Sequence, residues 1–202
     1  IPMPAPLETT ADLRTIPGGT GLTAQSSNIR RGVGWGVSIK NLMYSEGFDD
    51  FSTARCRISN GVVTIKFATS EVGQGFTMLA QQIARTVLGV DEVILDTIDT
   101  QVGSAGSTSA SRQTWMSGGA VQVACQAALA QLFDHVATKF EMTRSELEID
   151  GTDIVDRLTQ RRVSVSDAIS EIEIDCTEEY HHPPTEDLDE NGQGNCHVAY
   201  AF

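Results

Sequence analysis

Residues Gly103 to Gly119 read GSAGSTSASRQTWMSGG and run, without a proline, into an apolar-periodic segment that ends near Phe140. Such a stretch fits a loop whose backbone comes close to a ligand and then enters a helix, its first-turn amides turned toward whatever sits there. The natural guest is an anion, most often a phosphate. Gly103 and Gly106 reach backbone angles that other residues resist, Ser104, Ser107, Thr108, Ser109 and Ser111 offer hydroxyls, and Arg112 offers a planar charged fork. A solvated Ser/Gly linker has a similar composition, yet a linker rarely feeds straight into a helix of this length. Gly118 and Gly119 each cost that helix roughly 1 kcal/mol relative to Ala, which points to tight packing or a ligand close by.

The local patterns on either side predict the elements that carry this loop. Thr53 to Ser59 and Val62 to Thr69 are strand-like runs joined by Asn60-Gly61, the dipeptide that best accepts a type I′ turn, so they form a hairpin. Glu71-Val72-Gly73-Gln74-Gly75 follows, then a helical pattern with Leu79, Ile83 and Val87 on one face and Gly89 as its stop. Val93 to Thr100 reads as a strand leading to the Gly103 loop. The long helix after the loop sets Cys125, Leu129, Leu132, Val136 and Phe140 at helical spacing, with Phe133 beside them. Further on, Thr143-Arg144-Ser145-Glu146 fits a capping box for a short helix, Leu147 to Ile154 an exposed strand around Asp150-Gly151, and Val163 to Ile172 a short strand and helix.

The order hairpin, helix, strand, long helix predicts an α+β fold with mixed sheets layered by helices on one face. We divide the chain into an extended leader at 1–30, an α+β domain at 31–178, and a polar connector with the start of a further strand at 179–202. Val33, Trp35, Val37 and Ile39 alternate with small or polar residues as a half-buried strand does, and His197 to Phe202 alternates likewise. The chain opens Ile-Pro-Met-Pro and stops inside that last strand, so both ends read as those of a fragment.

Composition removes several function classes. The 202 residues, 40% of them hydrophobic, suffice for a sizeable core. No apolar run reaches the roughly 18 residues of a membrane span, and no secretory signal opens the chain. The net charge is -13, and Val163 to Phe202 carries ten Asp or Glu and no Lys or Arg. An acidic balance of this kind disfavours nucleic acid and anionic membrane, whose phosphates are bound by Lys and Arg. Cys56, Cys125, Cys176 and Cys196 are scattered without a CxxC, which reads as reduced thiols of a cytoplasmic protein. No histidine is assigned to a metal.

Three motifs in order resemble one family: EVGQG after a hairpin, GSAGSTSASRQTWMSGGAV about thirty residues later, and HHPPTEDLDENGQGNCHVAYAF at the end. From about Arg31 to Phe202 the chain resembles the molybdopterin-binding large subunit of the xanthine dehydrogenase and aldehyde oxidase family. The resemblance implies that Gly73, Gln74 and Gly75 lie on the pterin, with the Gln74 side chain hydrogen-bonding the cofactor. It implies that Ser107, Thr108, Ser109, Ala110, Ser111, Arg112, Gln113 and Thr114 wrap the cofactor, with Ala110 beside the molybdenum. Bacterial members often carry a cytosine dinucleotide form, whose extra phosphate Arg112 suits. Where the animal-type motif has a Ser two places after Ser111, this chain has Gln113.

The family's general base and part of its cofactor cradle lie in segments outside this chain, and its iron-sulfur and flavin groups lie on other domains or subunits. The resemblance thus implies a cofactor-binding fragment of an oxidoreductase that hydroxylates a heterocycle or aldehyde, inactive by itself. Its partners are the remainder of the large subunit and the iron-sulfur and flavin subunits. Glu71 adjoins the first motif, and we read it as supporting the turn rather than as a base. Two other readings remain from the residues alone. One is a generic phosphoanion or nucleotide module, which needs no pterin, and the other is a noncatalytic interaction domain whose acidic tail meets a basic partner.

Overall fold

The structure, a computed structural model, describes residues 36–41, 49–96, 98–109, 111–193 and 198–201, with backbone only at 38–41 and 198–201. The chain divides into a unit of Ile1–Val37 with Phe202 and a unit of Ser38–Ala201, and all elements below belong to the second. The expected leader at 1–30 and the residues Val33, Trp35, Ala110, Gly194, Cys196 and His197 lie outside the described residues.

The hairpin forms as its dipeptide demands. Strand β2 (Phe51–Ser59) pairs antiparallel with β3 (Val62–Phe67), and Asn60 and Gly61 turn the chain with φ of 50° and 75°. Both central residues at positive φ define the type I′ geometry that matches strand twist. A central sheet grows from this hairpin in the order β4-β3-β2-β8, with β4 (Ile94–Leu95) parallel to β3 and β8 (Ile174–His181) antiparallel to β2. Two smaller sheets accompany it. Strands β1 (Ser38–Asn41) and β9 (Val198–Ala201) pair antiparallel, and β5 (Leu147–Asp150), β6 (Asp153–Asp156) and β7 (Arg162–Ser164) make a meander.

Alternation along the central strands decides where the core lies. Ala54, Cys56 and Ile58 of β2, Val63, Ile65 and Phe67 of β3, and Ile174 and Cys176 of β8 share one buried face. Helices α1 (Phe76–Leu88) and α2 (Gly118–Phe140) cover that face. The opposite face is polar, with Arg55 paired to Asp175 and Lys66 to Asp99 at 3.1 Å. The architecture is α+β, as the order of elements predicts.

Several elements differ from the sequence reading for identifiable reasons. On α1 the fully buried residues are Phe76, Ala80, Ala84 and Leu88, while Leu79, Ile83 and Val87 are only partly buried. Phe76 meets Phe67 of β3 edge-to-face at 4.9 Å, while Leu79 and Ile83 lie along Gly118 of α2. Small alanines inward and larger residues sideways let one helix pack on two neighbours. The strand expected at Val93 to Thr100 shrinks to two residues and gives way to a 3-10 turn at Thr100–Val102. Thr143 makes no side-chain cap, and only a 3-10 turn forms at Arg144–Glu146. The strand expected around Asp150-Gly151 is a hairpin, because Gly151 turns the chain at φ 63°.

The largest omission is β8. It runs through residue 178, where the sequence reading ends its domain, and is hydrogen-bonded to β2 from Ile174 to His181. Its exposed positions carry Asp175, Glu178 and Glu179, which disguise a strand as part of an acidic tail.

Strand β8 also explains Gly119, the second glycine of the pair that opens α2. A Cβ on Gly119 would stand 2.5–2.7 Å from the Tyr180 ring, so tight packing, one of the two sequence alternatives, holds there. We expect Gly119→Ala to destabilise the chain by about 1–2 kcal/mol in thermal melting, because ring overlap outweighs the helix propensity that Ala adds.

Candidate functional site

The Gly103 loop is held against the start of β2 by its own carbonyls. Thr53 N donates to Ser104 O at 2.8 Å, Ser104 N donates to Thr53 Oγ1 at 3.2 Å, and Ser52 Oγ donates to Ala105 O at 3.0 Å. This closeness is why glycine stands at both turns. A Cβ on Gly103 would lie 2.5 Å from Thr53 Oγ1, and one on Gly106, at φ 61°, would occupy the place of the Arg112 guanidinium.

Arg112, expected at the phosphate end of a ligand, is turned inward: its side chain is 1% exposed and forms a two-pronged pair with Asp50, Nε to Oδ2 and Nη2 to Oδ1, both at 2.6 Å. Nη1 donates to Ala105 O at 2.9 Å and Ser107 O at 3.1 Å, and Nη2 also donates to Phe51 O at 2.9 Å. All five N–H groups of the guanidinium are thus engaged inside the protein. A buried ion pair persists only when such additional hydrogen bonds offset the desolvation of its charges.

The EVGQG turn is organised by Glu71. Its Oε1 accepts from Gly73 N at 2.8 Å and Gly75 N at 3.0 Å, and its Oε2 accepts from Thr77 N at 3.0 Å. Gly75, the residue before α1, has no side chain with which to cap it, so Glu71 supplies the carboxylate that the helix N-terminus favours. The backbone amides of Thr77 and Gly75 in particular hold the carboxyl down to about 2. This is the structural role expected of it.

The two motifs meet through glutamines. Gln74 Nε2 donates to Gln113 Oε1 and, at 2.9 Å, to Ser70 O, while its Oε1 accepts from Val72 N at 2.7 Å. Gln113 Nε2 donates in turn to Thr108 Oγ1 at 2.7 Å. A pocket of about 240 Å³ opens at this junction, lined by Gln74, Gly75, Phe76, Leu79, Gln113 and Thr114. A larger recess of about 510 Å³ lies on the polar face of the central sheet, away from both motifs.

Between the loop and α2 the backbone widens into a π-helical turn at Gln113–Ser117, where Gly118 N bonds to Gln113 O and Trp115 O. Such turns recur at functional sites. Ser117 anchors it, its hydroxyl bonded to Thr69 at 2.9 Å and Ser52 at 3.2 Å.

Of the residues chosen from sequence, Gly73, Gln74, Thr108, Ser109 and Thr114 are exposed, Gly75, Ser107 and Ser111 half-buried, and Arg112 and Gln113 buried. Asp50, Ser52, Thr53, Thr69 and Ser117 support the site and were missed. The available signal was Ser52-Thr53, two polar residues at the start of a strand. Among the described residues no group of three or more His, Cys, Asp or Glu could hold a metal ion.

Two helices thus cover one face of a mixed sheet, and two glycine-bearing turns meet at its end. A family model for the molybdopterin cofactor-binding domain matches residues 20–202, and the chain belongs to that family. No curated protein matches the chain. Among solved structures, a Cu,Mo-CO dehydrogenase is similar at a TM-score of 0.63 and 21% identity, over 81% of this chain and 22% of that one. Quinoline 2-oxidoreductase from Pseudomonas putida 86 is similar at 0.62 and 16% identity, over 82% of this chain and 24% of that one. A reconstituted CO dehydrogenase from Oligotropha carboxidovorans is similar at 0.60 and 21% identity, over 73% of this chain and 21% of that one. The chain therefore spans a fifth to a quarter of the structures it resembles.

The Glu71 carboxylate carries a testable pH dependence. Its pKa falls from 4.5 to about 2 on folding, so its contribution is full above 4.5 and is lost as pH drops through about 2. Protection factors of the Gly73, Gly75 and Thr77 amides, taken against the intrinsic exchange rate at each pH, are expected to fall over that window, and Glu71→Gln is expected to lose the protection already at neutral pH.

Proposed function

We propose that the joined turns hold a molybdopterin cofactor in a molybdenum hydroxylase, and that this chain supplies part of the cradle. The observation that carries this reading is the Gln74–Gln113 hydrogen bond. It brings together, across 39 residues of sequence, the two motifs that the family resemblance places on one ligand. The residues fit such a group. Small side chains permit close backbone approach, Ser107, Thr108 and Ser109 offer hydroxyls, and the nearby pocket has polar and apolar walls for a heterocycle.

Under this reading Gly73, Gln74 and Gly75 lie along the pterin. Both side-chain N–H groups of Gln74 are used within the protein and its Oε1 already accepts from Val72 N, so the second lone pair of Oε1 and the adjoining backbone are what it offers. Ser107, Thr108, Ser109, Ser111, Gln113 and Thr114 border the ligand, and Ala110, by the family resemblance, lies beside the molybdenum. Arg112 shapes the loop from behind and does not touch the phosphate end. When bound, the group supplies the metal at which water-derived oxygen is added to a substrate carbon and through which electrons leave.

The substrate we propose is a heterocycle or an aldehyde. The similarity to a quinoline oxidoreductase supports the former. The general base, iron-sulfur and flavin centres belong to other segments or subunits, so the chain alone is inactive. In the described residues no helix is long and apolar enough to cross a membrane, in keeping with the cytoplasmic site of action we propose.

The test is molybdenum content and turnover in the complete cofactor-loaded enzyme that contains this chain. Gln113→Ala removes hydrogen bonds on both sides of the junction, each contributing roughly 0.5–1.5 kcal/mol, and should lower molybdenum content about threefold or more. Ala110→Phe should abolish turnover with the fold retained, because the clash is with the cofactor. Leu158→Ala, on an exposed side chain, should match the wild type in both. Wild-type molybdenum content and rate in both loop variants would refute the assignment.

A further inference from the structure

We infer that Asp50 and Arg112 form a positioning unit that turns the Gly103 loop inside out, drawing its carbonyls inward so that its amides face the ligand. This rests on the cofactor reading above. The geometry is set by three carbonyls. Ser104 O is taken by Thr53 N, Ala105 O by Arg112 Nη1 and Ser52 Oγ, and Ser107 O by Arg112 Nη1.

In a planar trans peptide the N–H of the next residue points opposite to the carbonyl. The amides of Ala105, Gly106 and Thr108 therefore point away from β2 and the guanidinium. Gly106 N is bonded to Ser104 Oγ at 3.2 Å, which leaves the Ala105 and Thr108 amides as the outward donors of this segment. Two backbone amides directed to one side give an anion a pair of neutral donors.

Asp50 makes the arrangement specific. Its carboxylate fixes the orientation of the guanidinium fork, and its own amide donates to His182 Nε2 at 3.2 Å. Because that ring nitrogen accepts, the proton sits on Nδ1, which donates to Pro183 O at 2.5 Å. The unit is thus tied to the start of β2 and to the chain just past β8. With Asp50 balancing the Arg112 charge, the loop meets an anion through neutral donors, and binding there depends little on salt.

Two variants separate positioning from bulk stability. Arg112→Lys keeps a cation opposite Asp50 but cannot span both Asp50 and the two loop carbonyls. The pair Asp50→Leu with Arg112→Met replaces a buried ion pair with apolar groups, a change that is often neutral or stabilising for the fold. Both leave Phe51 O and Ser107 O without their guanidinium donor, so we expect each to melt somewhat below the wild type, with effects on the loop larger than that drop accounts for. Hydrogen exchange at the Thr53, Ser104 and Gly106 amides, which have protein acceptors at the loop, should quicken about tenfold or more in site-resolved measurements, the weight of one charge-assisted hydrogen bond. Molybdenum retained by the loaded protein after desalting should fall by a similar factor, and wild-type retention should change little between low and high salt.

Wild-type exchange and retention in either variant would overturn the positioning unit, as would losses that merely follow a lowered melting temperature in both. If the wild type itself retains no molybdenum, the cofactor reading fails. The exchange rates then still decide whether Asp50 and Arg112 order the loop.

Discussion

The close packing of α2 on the central sheet is the constraint on which the rest depends. Gly118, Gly119, Ala120, Ala124 and Ala128 are all buried, and their small size lets the helix axis approach both α1 and the strands. The Tyr180 ring fills the room left at Gly119. Because α2 begins over the end of the sheet where β2 starts, the loop that precedes it must fold across Ser52 and Thr53. Bringing the EVGQG turn alongside follows from α1, which packs on α2 and enters from that same turn.

What collects at this end of the sheet is a polar network in an otherwise apolar core. Ser52, Thr69 and Ser117 share hydroxyl contacts, Arg112 and Asp50 form the buried pair, and Gln74 and Gln113 join the turns. Buried polar groups of this kind are costly unless satisfied, and when satisfied they specify one arrangement. The chain as a whole is strongly acidic, at -13, yet the Gly103 loop exposes the hydroxyl-bearing Thr108 and Ser109 and keeps its one cation, Arg112, inside. Under the proposed reading, an anion there would be met by oriented dipoles, which require no compensating charge nearby.

Elements with local causes were legible in the residues. Asn60-Gly61 can turn only one way without strain, Gly89 stops α1 in the left-handed conformation, and the spacing of Leu132 and Val136 marks a helix face. Strand β8 was not legible. Its pairing with β2 joins residues more than a hundred positions apart, and its outward face is as acidic as a solvated tail. The site divides along the same line. Glu71 caps amides two to six residues away, so its role could be read locally. Arg112 finds its partner 62 residues upstream, and nothing in the motif announces whether its fork points outward or inward.

By itself the sequence determined the two glycine-bearing turns, the helices they open and the family to which the chain belongs, because turn chemistry and apolar period act over a few residues. Only the tertiary structure decided which donors remain for a ligand. A guanidinium and an amide can each bond either to protein or to a guest, and the choice depends on what the fold brings within 3 Å. Here the fold brings Asp50 and three backbone carbonyls to Arg112, and Gln113 to Gln74.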